Sequence, residues 1–275
     1  MNQRFLLKTA IEASLKAGEA IMTIYSQPVI EAVVKDDLSP LTLADQRAND
    51  IILRYLASTG IPVLSEESLK ESWEVRKSWN QCWIVDPLDG TKEFIRKNGD
   101  FTVNIALVFH GKPVMGIIFA PATGEIYFGM ADSGAFKTIL SSEKRFTVTA
   151  EEVIRLAKRI PLQNSSSDAF TVVASRSHRN AETDEYIRGI EQKHATVSII
   201  SRGSSLKICM VAEGSATVYP RFAPTMEWDT AAGHAIAAAA GCMVYNPATN
   251  ESLTYNKERL ENPYFIVRKN DENGY

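Results

Sequence analysis

The segment Trp83-Ile84-Val85-Asp86-Pro87-Leu88-Asp89-Gly90-Thr91 carries the clearest chemistry in the chain: an apolar run that ends in two closely spaced carboxylates. Pro87 fixes its own φ and holds Asp86 extended. Gly90 permits a tight turn, so both carboxylates and the Leu88 carbonyl can converge on one point. Hard oxygen donors at such a bend suit Mg2+, which takes one or two carboxylates, carbonyls, waters and substrate phosphate. Taken alone, the same residue types equally make a plain turn. Four further acidic residues bear on that choice. Glu66-Glu67 follow a short apolar run, where a solvated loop is the ordinary reading. Asp229 opens an Ala-rich segment, and its simplest role is a helix N-cap at the positive end of the dipole. Asp45, three residues after Thr42, reads as a surface position on an early helix.

The elements that must hold these residues follow from periodicity. Residues 5–25 and 42–56 place apolar side chains at helical spacing, with Thr42 a plausible start for the second. Residues 61–64 form a short strand. From residue 82 the period becomes that of strands: 82–85, 102–109, 114–120, 125–130 and 134–138, separated by Gly or Pro turns. A polar stretch over 141–169 is the best subdomain boundary, giving one unit over 1–275 with subdomains of about 1–150 and 151–275. The second half alternates: strands at 171–174, 197–200 and 216–219, helices at 182–192, 204–213 and 229–240, then two short strands. This pattern predicts an α/β (α+β) layered sandwich of sheets and helices.

Bulk properties exclude several classes. With 275 residues, 45% hydrophobic, there is ample material for a core. A net charge of −3 argues against a nucleic-acid-polymer binder, which needs a basic face. Cys82, Cys209 and Cys242 are dispersed and odd in number, which predicts buried thiols in a reducing compartment rather than a disulfide framework. Lys8, Glu12 and Lys16 interrupt any signal-peptide layout, and the longest apolar run, 235–244, is about half of the ~20 residues a membrane span needs. The expectation is a cytoplasmic protein without an integral membrane segment; a peripheral contact with the inner membrane stays open, as does the choice between monomer and homodimer.

Together, Glu66-Glu67, the 83–91 segment and Trp228-Asp229-Thr230-Ala231-Ala232-Gly233 resemble, in order, the three signatures of the inositol monophosphatase superfamily of magnesium-dependent, lithium-sensitive phosphatases. The resemblance spans residues 5 to about 268 and implies that superfamily's αβαβα sandwich. It implies that Glu66, Asp86 and the Leu88 carbonyl bind one Mg2+, that Asp86, Asp89 and Asp229 bind a second, and that a third, weaker ion sits near Glu66. Thr91 and Asp45 match the pair that orients and deprotonates the attacking water, and Glu67 acts from behind the ligands. Two cations roughly 3.5–4 Å apart suit direct in-line attack on a phosphomonoester without a phosphoenzyme.

Lys92-Glu93-Phe94-Ile95, Phe101-Thr102-Val103-Asn104 and Gly203-Ser204-Ser205-Leu206-Lys207 look like the 3′(2′),5′-bisphosphate nucleotidase branch. The implied substrate is adenosine 3′,5′-bisphosphate, cleaved to AMP, with its sulfated precursor a second. The second phosphate needs cations beyond the metals. His178, Lys207 and Arg221 match the nucleotide-holding positions, and Gly203 and Ser204 are expected to open a helix whose N–H groups cradle phosphate. Glu66, Leu88, Asp89, Gly90, Thr91 and Asp229 complete the expected substrate contacts. Duller roles exist for each cation: a loop histidine, a lysine on a solvated helix face, a structural arginine bridge. Residues 96–100 read as an exposed turn, and His110, His194 and His234 show no ligand spacing. A haloacid-dehalogenase phosphatase would need Asp-x-Asp, which 86 and 89 do not provide, and no Walker A or Gly-x-Gly-x-x-Gly loop is present. Inositol monophosphatase activity is the nearest competing reading; a degenerate, binding-only protein would be expected to have lost a ligand, and Asp45, Glu66, Asp86, Asp89, Thr91 and Asp229 are all retained.

Overall fold

Two long stretches of helical periodicity become the paired helices α1 (Gln3–Tyr25) and α2 (Leu43–Ala57), linked by the short hairpin β1 (Ala32–Val34) and β2 (Pro40–Thr42). The computed structural model describes residues 2–34, 40–161, 170–175 and 180–270. Thr42 caps α2: its hydroxyl accepts from Ala44 N at 3.1 Å, and the Asp45 carboxylate returns the bond to Thr42 N at 2.7 Å. The chain continues through β3 (Val63–Ser65), α3 (Trp73–Arg76), β4 (Gln81–Asp89), α4 (Thr91–Ile95), β5 (Thr102–Phe109), β6 (Lys112–Ala120), β7 (Glu125–Met130) and β8 (Gly134–Ile139). The polar stretch after β8 holds α5 (Ala150–Leu156) and β9 (Lys158–Ile160), elements too short to announce themselves by period. A seven-stranded sheet results, in the order β3-β4-β5-β6-β7-β8-β9, antiparallel except for β3 against β4.

The second half supplies β10 (Phe170–Ser175), α6 (Ala181–Glu191), β11 (Val197–Arg202), α7 (Leu206–Glu213), β12 (Val218–Arg221), α8 (Glu227–Ala239), β13 (Cys242–Tyr245) and β14 (Phe265–Lys269). Its five strands order as β11-β10-β12-β14-β13. Strand alternation sorts the apolar side chains into three cores. Val103, Ile105 and Leu107 of β5 and Ile117 and Phe119 of β6 meet Ile11, Ile21 and Ile52 of α1 and α2. Ala106, Val108 and Ile118 point the other way, onto α7 and α8, whose far sides meet Val173, Tyr219, Phe265 and Val267 of the second sheet. Val172, Val218 and Ile266 face outward onto α6. The layers are therefore α1/α2, seven-stranded sheet, α7/α8, five-stranded sheet, α6: the αβαβα sandwich that the sequence pattern and resemblance imply.

Helix α8 fits between two sheets because it is built from small residues; Ala231, Ala232, Gly233, Ala235 and Ala237 are all buried. The approach is so close that a Cβ added to Gly116 of β6 would lie 2.2 Å from the Ala232 carbonyl oxygen. No helix among the described residues is long and apolar enough to cross a membrane. All three cysteines are buried and free.

Candidate active site

Asp86 and Asp89 lie three residues apart on one strand, where alternation alone would send them to opposite faces. A β-bulge resolves this. Asp86 pairs with Asn104 and Asp89 with Thr102, so two residues of β4, Pro87 and Leu88, oppose the single Val103 of β5. Both carboxylates thereby join Thr102 and Asn104 on the face toward α7 and α8. Pro87 sits inside the bulge, where its missing N–H breaks no regular ladder. Gly90, at φ 93°, then turns the chain into α4. The apolar strand expected over 82–85 thus extends through both aspartates to residue 89.

From the opposite side, α8 brings Asp229. It is the third residue of the helix rather than its N-cap; Met226 holds the cap position, and the Asp229 carboxylate accepts from Met226 N at 2.8 Å. The start of α8 is anchored by Glu227, fully buried, whose carboxylate accepts from the backbone N–H groups of Asn256 and Lys257 and from the Lys257 ammonium at 2.6 Å. One carboxylate oxygen from each of Asp86, Asp89 and Asp229 falls within 4.8 Å of the others. Burial raises the pKa of all three, and mutual repulsion adds to it at Asp86 and Asp229: Asp86 stands well above the carboxylate range with Glu66, Asp89, Asp229 and Asp45 around it, and Asp229 reaches about 8. Three converging, all-oxygen, mutually repelling donors fit a hard divalent cation.

Glu66 continues the β3 pairing, its N–H bonded to the Val85 carbonyl at 3.1 Å, and its charge is the foremost of those bearing on Asp86. Lys70 Nζ donates to the Glu66 carbonyl and stands 5.0 Å above the Trp228 ring, tying this turn to α8. Glu67 follows with its N–H on Ser65 Oγ, which in turn donates to Asn49 of α2 at 2.7 Å. Asp45 is buried, not superficial. Its Oδ2 accepts from Thr42 N and Oγ1, while Oδ1 accepts from Thr91 Oγ1 at 3.2 Å. The Thr91 hydroxyl also lies 3.3 Å from the Leu88 carbonyl.

The turn before α7 departs from expectation. The helix starts at Leu206, not at Ser204; Ser205 is its N-cap residue and Ser204 adopts a left-handed φ of 45°. Ser205 faces the aspartates instead: its Oγ lies 2.7 Å from Asp89 Oδ2 and 2.8 Å from the Asp229 carbonyl oxygen, and accepts from Asn104 Nδ2 at 2.8 Å. Thr102 Oγ1 donates to Asn104 Oδ1 at 2.9 Å, fixing which way that amide points. Residues 96–100 are likewise not simply an exposed turn. Asp100 is buried, accepts from Gly203 N at 3.0 Å and pairs with Arg202 at 3.2 Å, and Arg202 reaches on to Glu125 at 3.1 Å. A Cβ on Gly203 would lie 2.7 Å from the Asp100 Cβ, so only glycine allows this approach.

Beside the carboxylates opens a cleft of about 260 Å3 lined by Asp89, Gly90, Thr91, Gly203, Ser204, Lys207, Arg221 and Asp229, together with Arg202 and Tyr219, which sequence reading did not single out. Lys207 is buried rather than on a solvated face. Its Nζ donates to the Ser204 carbonyl at 2.5 Å and stands 5.6 Å from the Tyr219 ring centre, and burial brings its pKa down to about 8 against the pull of Asp89. Arg221 is buried at the end of β12, with Nη2 on the Pro224 carbonyl at 3.1 Å. His178 lies outside the described residues. His234 is a buried core histidine whose Nδ1 lies 2.9 Å from Tyr255 Oη.

Residues 2–272 match the model of the inositol monophosphatase family. The 3′(2′),5′-bisphosphate nucleotidase CysQ of Escherichia coli K12 is 45% identical over 267 residues, covering 95% of this chain and 99% of that protein. The crystal structure of CysQ from Bacteroides thetaiotaomicron, a bacterial member of the inositol monophosphatase family, superposes with a TM-score of 0.87 at 52% identity, over 97% of each chain. The inositol monophosphatase of Anabaena (Nostoc) sp. PCC 7120, 22% identical, shares the fold with a TM-score of 0.70 over 98% of this chain and 92% of that one.

Proposed function

Because the chain belongs to the inositol monophosphatase family, we propose that it is a magnesium-dependent 3′(2′),5′-bisphosphate nucleotidase that hydrolyses the 3′-phosphate of adenosine 3′,5′-bisphosphate to give AMP and phosphate. One observation carries the reading: two members of the carboxylate triad, Asp89 and Asp229, line the same cleft as the buried cations Lys207 and Arg221, with Asp86 buried behind them. A monophosphate needs only the former. A substrate with a second phosphate needs both.

In this reading Asp86, Asp89 and Asp229, together with Glu66 and the Leu88 carbonyl, would hold two Mg2+ ions. The ions supply the positive charge that neutralises the phosphoryl oxygens and acidifies water. The protein does the rest. Thr91 Oγ1, bonded to Asp45, orients the water on the far side of phosphorus from the 3′ oxygen and passes its proton toward the Asp45 carboxylate. Glu67 keeps the Glu66 turn in place. The P–O3′ bond breaks as the water–phosphorus bond forms, and the leaving 3′ oxygen collects a proton from solvent. Lys207, Arg221, Gly203 and Ser204 hold the 5′-phosphate side, joined by His178. The Ser205 hydroxyl and the Asn104 amide keep Asp89 aimed at the ion.

The test is kcat/KM in Mg2+ for adenosine 3′,5′-bisphosphate, its sulfated precursor 3′-phosphoadenosine 5′-phosphosulfate and inositol 1-phosphate. The nucleotides should be strongly preferred. A preference for the inositol ester would overturn the nucleotide assignment while leaving a phosphatase.

A further inference from the structure

Among the described residues, α6 is the one helix on the outer face of the five-stranded sheet. Eleven residues give a helix about 16 Å long, and five strands make a sheet about 19 Å across, so α6 by itself spans only part of the face. Where α6 ends, beside β12 and β14, a cavity of about 430 Å3 opens, separate in its lining from the catalytic cleft. That volume is within the roughly 300–1,000 Å3 of small-molecule sites.

Its lining has an unusual charge balance. Lys193, His194, Arg268 and Lys269 all contribute, and no acidic residue among the described residues does. Two of these side chains are flat groups backed by aromatic rings. His194 stacks on Phe170 with ring centres 4.2 Å apart and planes at 30°, and the Arg268 guanidinium stands 5.4 Å from the Tyr245 ring centre. Arg268 also differs from the other arginines with a buried, unbonded Nε. Arg145 donates to two backbone carbonyls, Arg202 pairs with two carboxylates, and Arg221 donates to the Pro224 carbonyl. Arg268 has no hydrogen-bond acceptor among the described residues, although its Nε is shut away from solvent. Buried donors left without acceptors are rare in folded proteins and call for a partner. A guanidinium fork with one face on an aromatic ring offers an anion its edge and a second ring its other face.

We propose that this cavity binds a planar aromatic anion of mononucleotide size, its charged group on the Arg268 fork and its ring against the aromatic-backed planes of Arg268 and His194. Lys193 and Lys269 lie at the rim and add long-range attraction. The strands that carry the cavity also carry the cleft: β12 presents Val218 to the cavity and Tyr219 and Arg221 to the cleft, and β14 presents Arg268 to one and Phe265 to the other. The proposal does not depend on the reaction assigned above.

The test is calorimetric titration of the full chain with AMP, in EDTA so that no turnover complicates the signal. Adenosine and inorganic phosphate serve as half-probes. The wild type should show a binding event that Arg221→Ala retains and Arg268→Gln weakens at least tenfold, with each half-probe at least tenfold weaker than AMP. Phosphate release by Arg268→Gln in saturating substrate should be intact, which shows the variant folded. If that variant does not fold, His194→Ala carries the test and should weaken the same event severalfold. An Arg268→Gln isotherm superimposable on the wild type, or a His194→Ala isotherm unchanged where Arg268→Gln fails to fold, overturns the proposal.

Discussion

Replacing Ser205 with alanine removes one hydroxyl from a buried relay and should loosen the grip on magnesium. Asn104 Nδ2 donates to Ser205 Oγ, so the single Ser205 proton is left to face Asp89 Oδ2 at 2.7 Å, with the Asp229 carbonyl at 2.8 Å as the alternative acceptor. A hydrogen bond to a charged group contributes about 1.5–3 kcal/mol. In Ser205→Ala, Asp89 keeps the backbone N–H of residue 205 and the long 3.4 Å contact from Asn104 but loses the hydroxyl, and one Asn104 proton loses its acceptor. At about 1.4 kcal/mol per tenfold, the loss predicts roughly a 10- to 100-fold rise in the half-saturating Mg2+ concentration, with kcat at saturating Mg2+ much less affected. Phosphate release against Mg2+ concentration reads this directly, and calorimetric titration of the substrate-free protein gives a second measure. Asn104→Ala should behave similarly, and the double variant should lose far less than the sum, because both residues act through one chain of bonds. A half-saturating Mg2+ concentration within twofold of the wild type would refute the reasoning.

Asp86→Asn should abolish turnover even in excess Mg2+, since it removes a charge from the centre of the carboxylate cluster; phosphate release above about one per cent of wild type would count against the assignment. Arg221→Ala should raise KM for the bisphosphate at least tenfold while barely changing kcat/KM for a small monophosphate; equal losses on both would make Arg221 structural. Gly116→Ala should destabilise the fold by about 1–3 kcal/mol or more, because its Cβ would overlap the Ala232 carbonyl of α8; an unchanged melting temperature would contradict the packing. Asp86, Asp89 and Asp229 have native pKa values raised above their unfolded ones, so the metal-free native state binds more protons than the unfolded chain. Its stability should therefore fall as pH rises from about 4 to 8, and Mg2+ should flatten that slope; a metal-free melting temperature that climbs over this range would sink the prediction.

The long periodic elements were legible in the sequence because each has one dominant partner face. Helices α1 and α2 and strand β5 fall where apolar spacing puts them, give or take two residues. The aspartates were legible because Pro and Gly mark the bend that gathers them. The bulge was not, since only the pairing register between Asp86 and Asp89 reveals that they share a face. Asp45 and Lys207 read as surface residues on helical spacing alone, and their burial follows from a neighbouring chain closing over them. The Ser204–Leu206 turn misled because serine and glycine suggest a helix start. Here a left-handed residue delays the helix by two positions and turns Ser205 toward Asp89 instead. Ser205, Asp100 and Arg202 could have been suspected only by asking which polar groups a buried carboxylate recruits.

Helix α8 works as a calliper. Its alanines and glycine set the thickness of the layer between the two sheets, and Asp229 rides on its first turn. The distance across the carboxylate triad is therefore governed by side chains one or two turns further along the same helix, which never approach the substrate. Enlarging any of them would widen the jaws at the ion while leaving every ligand in the sequence untouched.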